Sequence, residues 1–153
     1  MDMPEFYNKL TNTIAKDFIA VFLGKKLGSG IARSVYTHRL DPKIVIKIED
    51  QSDSFQNVIE ARMWEEVQYY KPMAKWLAPV VSISPCGKIL IQYRAQPLAV
   101  KDLPEMVPAF LQDIKRDNWG VFNGKPVCFD YGSINLTFGK KLKMKKVLWE
   151  GTE

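Results

Sequence analysis

Hydrophobic and polar positions change their period along the chain, and each change predicts a different element. Between Phe6 and Phe22 apolar residues recur every three or four positions, which predicts an amphipathic helix over residues 1–22 that begins near Pro4. From Leu23 onward the pattern becomes that of strands, as in the β-branched run at positions 44–48. We expect the first helix to pack on the lobe that follows it.

Glycine and proline signals divide the strand-rich region into hairpins. Gly28 and Gly30 predict a turn between the first two strands, and Pro85-Cys86-Gly87 predicts a second turn further along. Asn123-Gly124 is the strongest two-residue hairpin signal in the chain. These signals predict an antiparallel sheet of five strands in residues 23–95 and a separate hairpin near residue 123.

One long helix is predicted between the third strand and the second hairpin. Ser52 and Asp53 are typical helix caps, and an apolar stripe from Phe55 to Tyr70 continues until Pro72. A short helix is also predicted at residues 104–110. Strands joined by hairpins, together with one long helix, predict an α+β fold.

The composition is that of an ordinary globular protein. Of 153 residues, 46% are hydrophobic and 25% are charged, and no apolar stretch has the length of a membrane span. Charged residues interrupt the N-terminal segment, so secretion is not expected. Cys86 and Cys128 lack metal-ligand spacing. We therefore predict a cytoplasmic protein with reduced thiols and no membrane partner.

The net charge of +5 is concentrated near the C-terminal end, where lysines make up five of the eight residues 139–146. We interpret residues 139–153 as a solvated basic segment. A weak contact between Lys140–Lys146 and a polyanion such as nucleic acid is the less favoured alternative, because the run contains no interleaved aromatic residues for stacking.

Several polar residues follow the glycine turn in a fixed order. Lys47 ends the third strand and Glu60 lies within the predicted long helix. Asp113 precedes Asn118 by five positions, and Asp130 follows the Asn123-Gly124 hairpin in the motif Asp-Tyr-Gly.

In this order the residues resemble those of protein kinases, and in particular the very short serine/threonine kinases of short-tailed bacteriophages. The resemblance covers about residues 23–132. It implies a kinase-like fold with an N-lobe at residues 23–95 and a severely truncated C-lobe at residues 96–138. It also implies ATP and Mg²⁺ as cofactors and serine or threonine residues of host proteins, or of the chain itself, as acceptors in the host cytoplasm.

The resemblance implies a nucleotide site beneath the glycine turn. Lys47 would grip the phosphates and would be held by Glu60, which we prefer to Glu65 and Glu66 as its partner. The residues expected at the nucleotide are Gly28, Ser29, Gly30, Val35, Lys47, Gln92 and Tyr93, the last two belonging to a segment similar to a kinase hinge.

The resemblance also implies the catalytic and metal-binding roles. Asp113 would act as base or would orient the acceptor hydroxyl, with Lys115 beside it, and Asn118 and Asp130 would hold Mg²⁺.

The chain departs from the family pattern at three places. Arg33 replaces the third glycine of the phosphate-covering loop, which puts the tightness of that loop in doubt. Tyr131 stands where kinases have Phe. Leu111 and Gln112 replace the usual His and Arg, so control by a phosphorylated activation loop is not expected.

Two other functions stay open. A binding module of kinase fold, a pseudokinase, would inhibit a host protein or a nucleic-acid-associated complex, and the absence of a predicted substrate platform favours it. Phosphorylation of a small molecule is less favoured, because we expect the chain to be too short to build a helical acceptor pocket. A homodimer that completes the shortened lower lobe is a further hypothesis.

Overall fold

A five-stranded antiparallel sheet is the central element of the computed structural model, which describes residues 3–49, 54–132 and 142–149. Its strands are β1 Leu23–Ser29, β2 Arg33–His38, β3 Ile44–Glu49, β4 Val80–Ile83 and β5 Ile89–Tyr93. They lie in the order β1-β2-β3-β5-β4, and every neighbouring pair is antiparallel. The predicted sheet of five strands and the α+β class are confirmed.

The first helix meets the sheet only near its C-terminal end. It forms α1, Met3–Phe22, and the Phe22 ring lies 5.6 Å from the imidazole of His38. Phe18 is half-buried, whereas Leu10 and Ile14 are exposed. The helix continues directly into β1, the edge strand of the sheet. The expected contact with the lobe that follows is therefore made by the last turn of the helix, whereas the described apolar side chains Leu10 and Ile14 are exposed.

The second helix, α2 Gln56–Val67, is capped by a residue of the preceding strand. The Glu49 carboxylate accepts hydrogen bonds from the backbone N–H groups of Gln56 and Asn57, at 3.1 and 3.0 Å. Two orphan N–H groups of the first turn are thereby satisfied. The predicted caps Ser52 and Asp53 lie outside the described residues.

The predicted apolar stripe is confirmed only in part, because Met63 and Val67 lie on the buried face of α2 and the ends of the stripe do not. Phe55 and Tyr70, the ends of that stripe, are 59% and 45% exposed. The long helix also ends earlier than predicted, at Val67, and a separate turn of helix follows as α3, Lys71–Ala74. The buried residues of α2 are Asn57, Glu60, Met63 and Val67. Two of these four are polar, because the helix faces the charged site described below.

Two small sheets follow the five-stranded sheet along the chain. One consists of β6 Gln96–Pro97, β8 Trp119–Phe122 and β9 Lys125–Cys128, and the other of β7 Met106–Pro108 and β10 Met144–Lys146. Short 3₁₀ turns occupy Val100–Asp102 and Arg116–Asn118. The turn predicted at Asn123-Gly124 is confirmed, since both residues have the positive φ angles, 50° and 74°, that such a hairpin needs.

Residues 104–110 do not form the predicted helix. Met106–Pro108 instead pairs antiparallel with Met144–Lys146. The prediction failed because the partner strand is distant in sequence and leaves no local signal.

The basic segment is also more structured than predicted. Lys145 is half-buried, and its Nζ donates a hydrogen bond to the carbonyl oxygen of Leu111 at 2.5 Å. Lys143 and Lys146 are exposed, whereas Lys140 and Lys141 lie outside the described residues. Met144–Lys146 therefore forms a strand, and Lys145 contacts the segment that leads to Asp113.

The hydrophobic core holds the segments around Asp113, Asn118 and Asp130 in place. The Trp119 indole is buried and makes edge contacts with Trp76 and Trp149, at ring distances of 6.3 and 5.6 Å. Leu111 and Tyr131 belong to the same buried cluster. The core therefore supports the residues just before and after Asp113, Asn118 and Asp130. Among the helices described, none has the length and apolar character needed to cross a membrane.

The close approach of β8 to β6 can be tested at Gly120. A Cβ at Gly120 would lie 2.7 Å from both the Ala95 Cβ and the Gln96 carbonyl oxygen. We expect Gly120→Ala to lower the free energy of unfolding by about 1–3 kcal/mol, because the backbone must shift to accept the methyl group. Urea denaturation followed by tryptophan fluorescence measures the change.

Gly28→Ala is the matched control, since a Cβ there has no neighbour within 4 Å. Its free energy of unfolding should stay within about 0.5 kcal/mol of the parent protein. Equal losses in the two variants would contradict the close approach at Gly120.

Candidate active site

One cavity of about 650 Å³ lies between the glycine turn and the segments that carry Asp113, Asn118 and Asp130. Its size is typical of small-molecule sites, which span about 300–1,000 Å³. The predicted nucleotide-binding residues all line it: Gly28, Ser29, Gly30, Val35, Lys47, Gln92 and Tyr93. The predicted catalytic and metal-binding residues Asp113, Lys115, Asn118 and Asp130 line it as well.

Lys47 forms the predicted ion pair with Glu60. The Nζ atom of Lys47, on β3, lies 2.5 Å from Oε1 of Glu60, on α2, and both side chains are buried. The alternative partners Glu65 and Glu66 are exposed. Burial lowers the pKa of the Lys47 amine below its ordinary value, and the neighbouring Glu60 carboxylate offsets this only in part.

Lys47 also connects the sheet to the segment that carries Asp130. Its Nζ donates a second hydrogen bond to the carbonyl oxygen of Phe129, the residue before Asp130. The Asp130 side chain is 46% exposed and faces the cavity. The Lys47 amine and the Asp130 carboxylate therefore belong to the same wall of the cavity.

Asp113 and Asn118 are held together by a short turn. The amide Nδ2 of Asn118 lies 3.3 Å from both the carbonyl oxygen and the carboxylate Oδ2 of Asp113. The backbone N–H of Phe129 donates to the Asn118 carbonyl oxygen at 2.9 Å. Lys115 Nζ lies 3.4 Å from the Asp113 carboxylate, and because both side chains are substantially exposed this pair contributes little stability.

Gln92 and Tyr93 line the cavity, but several of their polar groups bind the protein. Nε2 of Gln92 donates to Glu60 Oε1 at 3.0 Å and to the Ala78 carbonyl oxygen at 3.1 Å. The backbone N–H groups of Tyr93 and Arg94 are hydrogen-bonded to carbonyl oxygens of other segments. These donors are therefore already engaged within the protein and are not available to the base of a nucleotide.

Tyr131 occupies the core rather than the cavity. It is buried, and its hydroxyl donates to the Ala78 carbonyl oxygen at 2.7 Å. Burial raises the pKa of this hydroxyl well above its ordinary value. The hydroxyl that distinguishes Tyr from Phe therefore anchors the turn that carries Asp130 to the segment before β4.

Arg33 is the site residue that the sequence interpretation missed. It is 4% exposed, and its Nη2 contacts Oε2 of Glu60 and lies 2.6 Å from Oδ1 of Asp130. Its Nη1 donates to Asn57 Oδ1 at 3.1 Å. Arg33 therefore links the glycine turn to α2 and to Asp130.

A weak sequence signal for this role existed. Asn57 and Glu60 are three positions apart on the predicted long helix, and so share a face. Polar residues on a face that also carries Met63 need buried partners, and an arginine in the glycine turn is a suitable one.

The charges of the buried cluster balance. Arg33 and Lys47 face Glu60 and Asp130, so two cations meet two anions. Burial works against the charge of Arg33, but Glu60 and Asp130 outweigh it and hold the pKa of the guanidinium above its ordinary value.

The donor set suits Mg²⁺ only with help from a ligand. Among residues 3–49, 54–132 and 142–149 there is no group of three His, Cys, Asp or Glu side chains that could hold a metal alone. Asn118 and Asp130 offer an amide and a carboxylate, the oxygen types that Mg²⁺ prefers, and Arg33 already binds one carboxylate oxygen. Phosphate oxygens would have to complete the coordination, as is usual for Mg²⁺.

Comparison with known proteins adds no assignment, since no protein-family model and no curated protein matches the chain. The geometry of the cavity therefore carries the argument about function.

The Glu49 cap makes the helix that bears Glu60 sensitive to acid. Burial tends to raise the pKa of the Glu49 carboxyl, but hydrogen bonds from the Ser54 hydroxyl and from the N–H groups of Asn57 and Gln56 outweigh burial and lower it. A lowered pKa in the folded protein stabilises it above the unfolded pKa, near 4.3, and this stability is lost as the pH falls through the folded value.

We expect Glu49→Gln to lower the free energy of unfolding at pH 7 by roughly 0.5–2 kcal/mol, the range for loss of a helix cap. The difference from the parent protein should shrink as the pH falls below about 4. Urea denaturation from pH 7 downward measures it, with the exposed residue change Glu66→Gln as control. A difference that does not vary with pH would contradict the role of the Glu49 charge.

Proposed function

We propose that the chain is an ATP- and Mg²⁺-dependent phosphotransferase of protein kinase fold that acts on serine or threonine residues of proteins. One observation carries the proposal: the glycine turn, Lys47, Asp113, Asn118 and Asp130 line a single cavity. These groups are spread over much of the sequence, and phosphoryl transfer requires them in one place.

The fold supports the proposal. A five-stranded antiparallel sheet with one helix paired to its third strand through Lys47 and Glu60 resembles the N-lobe of a protein kinase. The glycine turn lies at the edge of this sheet, between β1 and β2. In this proposal the two small sheets and the core around Trp119 would take the place of the larger C-lobe of protein kinases. They would present Asp113 and Asn118 to the cavity.

Each group has a chemical role in this proposal. The Lys47 amine would bind phosphate oxygens of ATP, held in place by Glu60. Asn118 and Asp130 would hold Mg²⁺, which would supply positive charge to the phosphates when bound. The Asn118 amide, 3.3 Å from the Asp113 carboxylate, would fix its orientation.

Asp113 would align the acceptor hydroxyl and receive its proton. The hydroxyl oxygen would form a bond to the γ-phosphorus while the bond from that phosphorus to the bridging β–γ oxygen breaks. The products would be a phosphorylated serine or threonine and ADP.

The proposal is tested by transfer of label from γ-³²P-ATP to a dephosphorylated protein mixture and to the chain itself. We expect Asp113→Asn to reduce the transfer about 10²–10⁴-fold, the range for loss of a positioned acid–base group. Asp102→Asn, at an exposed position outside the cavity, should transfer label like the parent protein. Equal transfer by the two variants, or none by the parent protein with Mg²⁺ present, would refute the proposal.

A binding module of the same fold is the second candidate. It is favoured by the engagement of Asp130 with Arg33, which already satisfies one oxygen of the expected metal ligand. In that case a host protein should bind equally well to the parent chain, to Asp113→Asn and to Asp130→Asn, and none of them should transfer phosphate.

A further inference from the structure

Arg33 lies at the point where the glycine turn meets the cavity. It is the first residue of β2, and its carbonyl oxygen accepts a hydrogen bond from the Gly30 N–H at 2.8 Å. Its guanidinium extends to α2 and to Asp130. Arg33 therefore joins the glycine turn, through its backbone, to α2 and Asp130, through its side chain.

The guanidinium lies where a cation at Asp130 would be. Its Nη2 is 2.6 Å from Asp130 Oδ1, a charge-assisted hydrogen bond. A divalent ion on the same carboxylate would place two further positive charges close to the guanidinium, in a partly buried site where repulsion is poorly screened. Arg33 cannot relieve this repulsion by losing a proton, since a guanidinium stays charged in proteins.

A triphosphate would change this competition. Phosphate oxygens are strong acceptors for guanidinium groups and can take over the hydrogen bond that Asp130 now receives. Glu60 would still be neutralised, because Lys47 also pairs with it. Asp130 would then be released to a metal ion.

We propose that Arg33 occupies the cation position at Asp130 in the nucleotide-free protein and makes divalent-ion binding there conditional on a bound triphosphate. This rests on the proposed function in that Asp130 is taken as the metal ligand. Arg33 is a positioning residue in this scheme, and it couples the glycine turn, the nucleotide and the metal.

The experiment measures Mn²⁺ binding without nucleotide by electron paramagnetic resonance. We expect the parent protein to bind Mn²⁺ weakly and Arg33→Met to bind it about tenfold more tightly or better, within the usual range of coupling between sites. Arg33→Lys should bind Mn²⁺ weakly, like the parent protein, because lysine keeps the positive charge at this position. The double variant Arg33→Met/Asp130→Asn should lose the gain, which locates the ion at Asp130.

Arg62→Met is the matched control, since it removes the same charge from the exposed face of α2. A merely structural role of Arg33 would lower the thermal stability of Arg33→Met and leave its Mn²⁺ affinity no higher than that of the parent protein or of Arg62→Met. That result would overturn the proposal.

A second measurement needs no variant and decides the matter if Arg33→Met does not fold. In the parent protein labelled with ¹⁵N-arginine, the side-chain signals of Arg33 should shift when Mg²⁺ and a non-hydrolysable ATP analogue are added together, and not with Mg²⁺ alone. A shift with Mg²⁺ alone, or no shift with both, would overturn the proposal.

Failure of the phosphotransferase proposal would look different. In that case the parent protein would not bind the ATP analogue with Mg²⁺, as measured by calorimetry. The comparison of Mn²⁺ affinity between Arg33→Met and the parent protein would still decide whether Arg33 excludes a cation from Asp130.

Discussion

The arrangement of the site depends on the need to pair the buried Glu60 carboxylate. Glu60 has no exposed surface, and an ionised carboxylate in such a place is strongly unfavourable unless cations and donors surround it. Lys47, Arg33 and Gln92 provide them from β3, β2 and β5. One carboxylate on α2 thereby fixes three strands of the sheet against the helix. Arg33 also pairs with the Asp130 carboxylate, and Lys47 also donates to the carbonyl oxygen of Phe129. The segment that carries Asp130 is therefore held by the same two cations that bind Glu60.

Polar contacts fix α2 against the neighbouring strands. The Asn57 amide donates to the carbonyl oxygens of Lys47, Gly87 and Lys88, at 3.3, 3.1 and 3.2 Å, and Glu49 caps the first turn. Hydrogen bonds have strict geometry. The helix that carries Glu60 is therefore held in one register relative to β3, which the ion pair with Lys47 requires.

The opposite wall of the cavity gains its rigidity from a different source. Trp119 directly follows Asn118 and is packed between two other indole rings. Lys145, from the distant strand β10, binds the carbonyl oxygen of Leu111 next to the Asp113 segment. A short loop with little regular structure is thus fixed by aromatic packing and by hydrogen bonds to distant segments, and this is how a small domain can present Asp113 and Asn118 in a defined orientation.

The sequence by itself determined the elements whose signals are local. The β-branched run of β3, the hairpin at Asn123-Gly124 and the period of α1 follow from neighbouring residues, and the family resemblance picked Glu60 as the partner of Lys47. Only the tertiary structure decided that Asn57 lies on the buried face of α2, that β7 pairs with β10, and that Arg33 reaches Asp130. Each of these depends on contacts between residues far apart in the chain, and the energy of such a contact leaves no period or spacing in the sequence.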